Sequence, residues 1–437
     1  MKSTFQTILI AVFIAAFIGA ILIFAGVINI GKSSSNNTVT GSVVVWGIYP
    51  SEVMQPFIEK INTKNKTINT SYLQVTPENF RNNLIEALAS GTAPDIVIAD
   101  SGQIFSFRDK LYTIPFATYN ERLYRDTFID GASIFLNKEG VLAVPLLVDP
   151  LVTYYNKDLL AGQRFVVPPT SWSSLVQSLP LFVKKDAKGV ITQTAIGLGE
   201  WSNVNHFKDI LSALFLQTGN PIVSLDSYTG LYVQRLNTST VQNNDTELPT
   251  VSALNFFTSF ANQASSMFSW SRNLPSTLDM FLSGKSAFYI GRASELFTIQ
   301  ARNPNLNFDV STLFQADGAI RPVTHGLFSG LAMIKSSPNF SAAYIVAGDL
   351  TSAEFTEYLS GATSLPSVRR DLLLTQQTNP YVQVYFQAAL SAFGWPDVDN
   401  IATENVFRDM IRNINSGATN PNQAIYEASR DLQSIVR

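Results

Sequence analysis

Hydrophobic and polar positions alternate along this chain in a way that predicts most of its elements. Residues 8–28 contain no charge and no Ser, Thr, Asn or Gln. At 1.5 Å per helical residue such a run is roughly 30 Å long, the thickness of a bilayer's hydrocarbon core. It reads as an N-terminal transmembrane helix, an anchor over residues 1–31. A cleaved signal peptide is the alternative, but the run is long and lacks a clean A-x-A site. The polar stretch that follows, with Lys32, Ser33, Ser34, Ser35, Asn36 and Asn37, predicts a flexible linker over residues 32–42.

From Val43 the pattern changes to short apolar runs separated by helical periodicity. Val43-Val44-Val45-Trp46 is a buried strand by its β-branched composition. Val53, Phe57 and Ile61 recur at helical spacing, with Pro56 expected in the first turn or at a kink. A strand is expected over 68–75. A helix follows, with Thr76 as cap, Pro77 at its first position, Phe80, Leu84 and Leu88 on one face, and Gly91 as stop. Ile96-Val97-Ile98-Ala99 is the next buried strand.

Strand and helix in alternation predict an α/β sheet with crossover helices, whose ligands bind beyond the carboxyl ends of the strands. Two apolar strands, ending at Val148 and starting at Leu151, are joined by Asp149-Pro150, which suggests a crossing between lobes. A second α/β pattern begins at Asn156. Helices are expected around 172–179, 253–264 and 278–281, and strands over 286–291 and 326–334. The end is helical over 340–350, 381–393, 403–414 and 424–436. The polar stretch 237–250 predicts a surface loop.

Composition narrows the chemistry. The 437 residues include no cysteine, which excludes disulfides, thiolate metal sites, cysteine nucleophiles and a lipid-modified Cys. A net charge of -3, from 30 basic and 33 acidic residues, makes no case for nucleic acid. The only two histidines, His206 and His325, lie far apart in the sequence, which argues against a histidine zinc site. No nucleophile motif, phosphate loop or metal cluster supports chemistry.

The motifs VPLLVDPLVTYYNKDLL (144–160), PPTSW (168–172), AIGLGEW (195–201), FLSGKSAFYIGRASEL (281–296) and GLFSGLAMIKSSPN (326–339) resemble an extracellular solute-binding protein of the maltose-binding type. These are receptors of ABC importers for sugars. The resemblance covers nearly everything from Val43 onward. It implies a two-lobed periplasmic-binding-protein-like α/β fold of type II with a hinge, lobe 1 spanning 43–148 plus 332–378 and lobe 2 spanning 150–328 plus 380–437. It implies a monomer outside the cell that closes on a sugar or oligosaccharide and presents it to permease subunits, with no catalytic residue, cofactor or metal.

By the same resemblance the ligand contacts are Tyr49, Asp100, Asp149, Glu200, Trp201, Arg292, Trp395 and Phe407. The carboxylates of Asp100, Asp149 and Glu200 would accept hydroxyls, and Trp201 and Trp395 would stack on ring faces. Tyr49-Pro50 and Arg292-Ala293 depart from the family's usual polar contacts, so a scaffold or adhesin that lost its ligand stays open. A glycosidase would require two of the carboxylates to converge. Adjacent Tyr154 and Tyr155 raise a ferric-iron receptor, although alternation along a strand would point them to opposite faces.

Overall fold

The computed structural model of the chain describes residues 39–242 and 245–436. The apolar run 8–28, and with it the expected anchor, lies outside the described residues. Among those residues, no helix is long and apolar enough to cross a membrane.

The first elements follow the expected order. Strand β1 (Gly41–Gly47) leads into helix α1 (Ser51–Lys64), strand β2 (Ile68–Gln74), helix α2 (Pro77–Ser90) and strand β3 (Ile96–Asp100). Pro56 lies inside α1 rather than in its first turn, and the buried face is Met54, Phe57, Ile58 and Ile61. Thr76 precedes α2 without a side-chain cap bond, whereas Pro77 starts the helix and Gly91 ends it in the left-handed conformation, φ 73°. β1 and β3 run parallel, with Val45 opposite Ile96, so both deliver their carboxyl ends to the same side. Asp100 then caps the short helix α3 (Ser101–Ser106).

The central feature is β4 (Val144–Asn156), a single 13-residue strand where two end-to-end strands were expected. Proline's fixed φ is compatible with extended backbone, so Asp149-Pro150 does not interrupt it. A second long strand, β7 (Thr324–Met333), runs antiparallel beside β4 with Leu327 opposite Asp149 and Gly326 opposite Pro150. On its other edge β7 pairs antiparallel with β3, Ser329 opposite Asp100. The carboxyl half of β4 lies between β5 (Phe288–Arg292) and β6 (Phe308–Thr312), both antiparallel to it.

The result is an eight-stranded sheet of order β5-β4-β7-β3-β1-β2, with β6 also on β4 and β8 (Ala392–Phe393) also on β7. The fold is a two-lobed α/β fold, with β4 and β7 its longest strands. Helix α4 (Phe207–Gln217) packs on β7, and α5 (Pro380–Ala389) packs on β4 and β6. Helices α6 (Asn400–Asn415) and α7 (Pro421–Val436) pack together at the end of the chain.

One expectation changes. The stretch 237–250 holds a short hairpin, 240–242 against 245–247, and then the start of the helix Pro249–Ser259. Thr250 is fully buried, its hydroxyl donating to the Leu236 carbonyl at 2.6 Å. Nearby, Trp270 is wholly buried and donates its indole N–H to Asn203 at 3.0 Å.

Candidate functional site

Three strand ends and one crossing strand meet at the site. Tyr49 follows β1, Asp100 ends β3, Arg292 ends β5, and Asp149 sits at the middle of β4. Their convergence follows from the sheet, because β7 places Ser329 opposite Asp100 and Leu327 opposite Asp149. Tyr49 is 7% exposed and shares a 2.6 Å hydrogen bond with the Ser329 hydroxyl. Burial pushes its phenol well above the usual range.

Asp149 accepts from Ser294 twice, from the backbone N–H at 3.0 Å and from the hydroxyl at 2.6 Å. Asp100 accepts from the Gln103 N–H at 2.9 Å with one oxygen, as the cap of α3. Burial raises both carboxyls above their ordinary range, although the nearby Arg292 guanidinium opposes this.

The sequence reading did not anticipate Asp209. It lies in the first turn of α4, where the helix dipole favours an anion. Its Oδ2 accepts from Arg292 Nε at 3.1 Å and Nη2 at 2.5 Å. The two histidines meet the same carboxylate, His325 Nδ1 at 3.7 Å and His206 Nδ1 at 4.0 Å. Burial pushes Asp209 up, but Arg292, then His325 and His206, hold it far below the usual carboxylate range. His206 adopts a left-handed backbone, φ 56°, at the start of α4. Such strain costs a non-glycine residue about 1–3 kcal/mol and persists where neighbours fix it. Here Nε2 is bonded to Glu295 at 3.0 Å, and Glu295 also accepts from Tyr289 and from the Arg292 N–H.

A second pair closes the other wall. Lys208 donates to Asp397 at 2.5 Å, to Asn400 Oδ1 at 2.7 Å and to Thr403 at 2.7 Å. Its ammonium lies 5.3 Å from the centre of the Trp395 ring. Together Asp100, Asp209, Arg292, His325, Trp395 and Asp397 line a cavity of about 210 Å³. No local signal set these residues apart: His206, Lys208 and Asp209 open an otherwise apolar helix, where a solvent-facing reading is natural, but Lys208 and Asp209 are buried.

Several expected contacts lie elsewhere. Glu200 faces a different cavity of about 700 Å³, beside Asn262, Gln263 and Asn415, with Arg272 Nε at 3.5 Å. Trp201 is half-buried under the Arg408 guanidinium, 5.7 Å from its ring centre. The segment before them is irregular rather than a strand, with one bridge from Thr194 to Ser286, so alternation does not aim them at the cleft. Phe407 is wholly buried and lies parallel to Trp395 at 6.0 Å, behind it. Trp395 is 4% exposed and donates its indole N–H to Ser212 at 3.1 Å, leaving little open ring face.

Of the carboxylates in the glycosidase alternative, Glu200 and Asp100 therefore line different cavities. Tyr154 is wholly buried with its hydroxyl donating to the Arg292 carbonyl at 2.8 Å, while its neighbour Tyr155 is half-buried. Among the described residues no group of three His, Asp or Glu is arranged to hold a metal ion.

The site lies at strand ends, beside the two long strands β4 and β7. The chain belongs to the family of bacterial extracellular solute-binding proteins, whose model matches residues 56–385. No curated protein matches the chain in sequence. Among solved structures, the cyclic α-maltosyl-1,6-maltose binding protein of Arthrobacter globiformis is similar at TM-score 0.73 and 16% identity, over 90% of this chain and 98% of that one. The GacH receptor of Streptomyces glaucescens, solved unliganded and with acarbose, is similar at TM-score 0.67 and 17% identity, over 91% and 98%. An ABC-transporter solute-binding protein of Thermotoga lettingae, bound with α-D-tagatose, is similar at 0.62 and 19%, over 91% and 100%.

Proposed function

We propose that this chain is the extracellular substrate-binding subunit of an ABC importer, taking a sugar or oligosaccharide between its lobes and delivering it to a membrane permease. The supporting observation is that Asp100 and Arg292 line one cavity, with Tyr49 and Asp149 close enough to shift or be shifted by their charges. The lobe bounds given above, 43–148 plus 332–378 and 150–328 plus 380–437, are part of this reading. They are supported by a change of partner along β4, which pairs with β7 from Val144 to Pro150 and with β5 and β6 from Leu151 onward. In the same reading the protein binds without catalysis and works as a monomer.

The site residues we assign are Tyr49, Asp100, Asp149 and Arg292, with Asp209 orienting Arg292 and Trp395 offering an edge. Thermal unfolding against a panel of sugars, amino acids, polyamines and ferric citrate tests this. A ligand at 100 times its dissociation constant adds about 2.7 kcal/mol of stability. A sugar hit supports the receptor, a shift with iron points to the tyrosines, and a flat response favours the ligand-free scaffold.

We further propose that residues 1–31 anchor the receptor in the membrane, since the apolar run has the length to span it. The tether would hold the receptor at an effective concentration of up to about mM near its permease. Cell fractionation checks it: the full chain sediments with membranes and a chain lacking residues 1–31 does not.

A further inference from the structure

We infer that the cleft selects a single-ring sugar bearing a protonated amine over the neutral or acidic sugar of the same size. This rests on the sugar-receptor reading and narrows its substrate class.

Size is the first argument. Ligand pockets commonly enclose about 300–1,000 Å³, and the space between Asp100 and Trp395 is about 210 Å³. It suits one ring rather than a chain of rings.

Charge is the second. Both fixed cations that line the space are already committed to protein partners. Arg292 holds Asp209 through Nε and Nη2, and Lys208 donates to Asp397, Asn400 and Thr403. Those two pairs cancel. Asp100 remains, a carboxylate that accepts only from the backbone N–H groups of Gln103 and Gly102 and that has no ion-pair partner among the described residues. A ligand ammonium would supply the missing charge, whereas a ligand carboxylate would add a second negative charge where water is scarce.

A third, independent observation points to a ligand. His325 is 8% exposed and lines the same cavity, yet its ring makes no hydrogen bond; its nearest partner is Asp209 at 3.7 Å. Burial favours its neutral form, which can accept from one hydroxyl or donate to another. Stacking contributes little, because Trp395 is 4% exposed. Affinity in this cleft must come from charge-assisted and ordinary hydrogen bonds.

Calorimetric titration with matched pairs tests the inference: glucose with glucosamine, galactose with galactosamine, mannose with mannosamine, plus the N-acetylated forms and glucuronate. The expected result is at least one amine bound about tenfold or more tighter than its neutral partner. Acetylation, which removes the charge, should abolish the gain. Asp100→Asn keeps a good helix cap and should erase the preference while the melting temperature stays within a few degrees. A neutral or acidic sugar binding as tightly as the amine overturns the inference and leaves the sugar receptor standing, as does a preference that survives Asp100→Asn. If no sugar of any pair binds, the inference falls, and a thermal-unfolding screen with oligosaccharides then decides the receptor reading separately.

Discussion

Asp209 is the residue on which the site's geometry depends. It holds Arg292 through two hydrogen bonds and faces both histidines. Replacing it leaves a largely buried guanidinium without its counter-charge, so Asp209→Asn should cost about 1.5–3 kcal/mol in urea unfolding and should also weaken ligand binding. Unchanged stability would mean that Arg292 finds another partner, with Asp149 the nearest candidate by charge.

His325 supplies a pH test. Burial, aided by Arg292 and Lys208 and opposed by Asp209 and Asp397, lowers its pKa below the ordinary 6.5. The unfolded chain then takes up the proton first, so this group's contribution is full above about pH 6.5 and declines as pH falls through the lowered value. Asp100 and Asp149 act in the opposite sense, since their raised values favour the folded chain as pH falls. The comparison is therefore made at each pH: His325→Gln should lose less melting temperature than the wild type between about pH 7 and about pH 5. At this scale the sequence revealed groups that end strands, such as Asp100 and Arg292. Asp209 was hidden because nothing local distinguishes it from a solvent-facing first-turn acid.

At the scale of elements, the crossing made by β4 and β7 leaves no space for additional atoms. A Cβ on Gly326 would lie 2.7 Å from Val148 Cγ2 and 2.9 Å from the Ala392 Cβ. Both neighbours are buried and short, so they cannot swing away. Gly326→Ala should cost about 1–3 kcal/mol by denaturant unfolding; a neutral result would show that the crossing yields easily. The strands around it were legible as short β-branched runs bounded by turn residues, and the helices as 3.6-residue periodicity. What periodicity could not tell was that the runs on either side of Asp149-Pro150 form one strand. Continuity there depends on β7 lying alongside, with its own partner residues over 170 positions away in the sequence.

For the whole molecule, the proposed lobes touch at several points. Arg81 pairs with Asp399 at 3.1 Å, and Phe105 meets Tyr232 edge-on at 5.8 Å, with the Arg108 guanidinium 5.7 Å from the same ring. Lys138 donates to the Tyr228 carbonyl at 3.1 Å. These contacts favour a closed arrangement, and hinge closure is an equilibrium that a few kcal/mol can shift. Tyr232→Ala should therefore enlarge the radius of gyration of the unliganded protein in solution scattering and raise the ligand's off-rate. An unchanged radius would show that closure is held elsewhere.

The sequence by itself determined the class of fold, because burial of alternating strand and helix faces follows from local periodicity. It also marked Asp100 and Arg292 as residues that end strands, because each closes a short apolar run. Only the tertiary structure decided that Asp209, Lys208, His206 and His325 belong to the same cleft, and that Glu200 and Trp201 lie outside it. The reason is that a binding site brings together segments distant in sequence, and an irregular backbone such as that before Glu200 has no period from which a side chain's direction can be read.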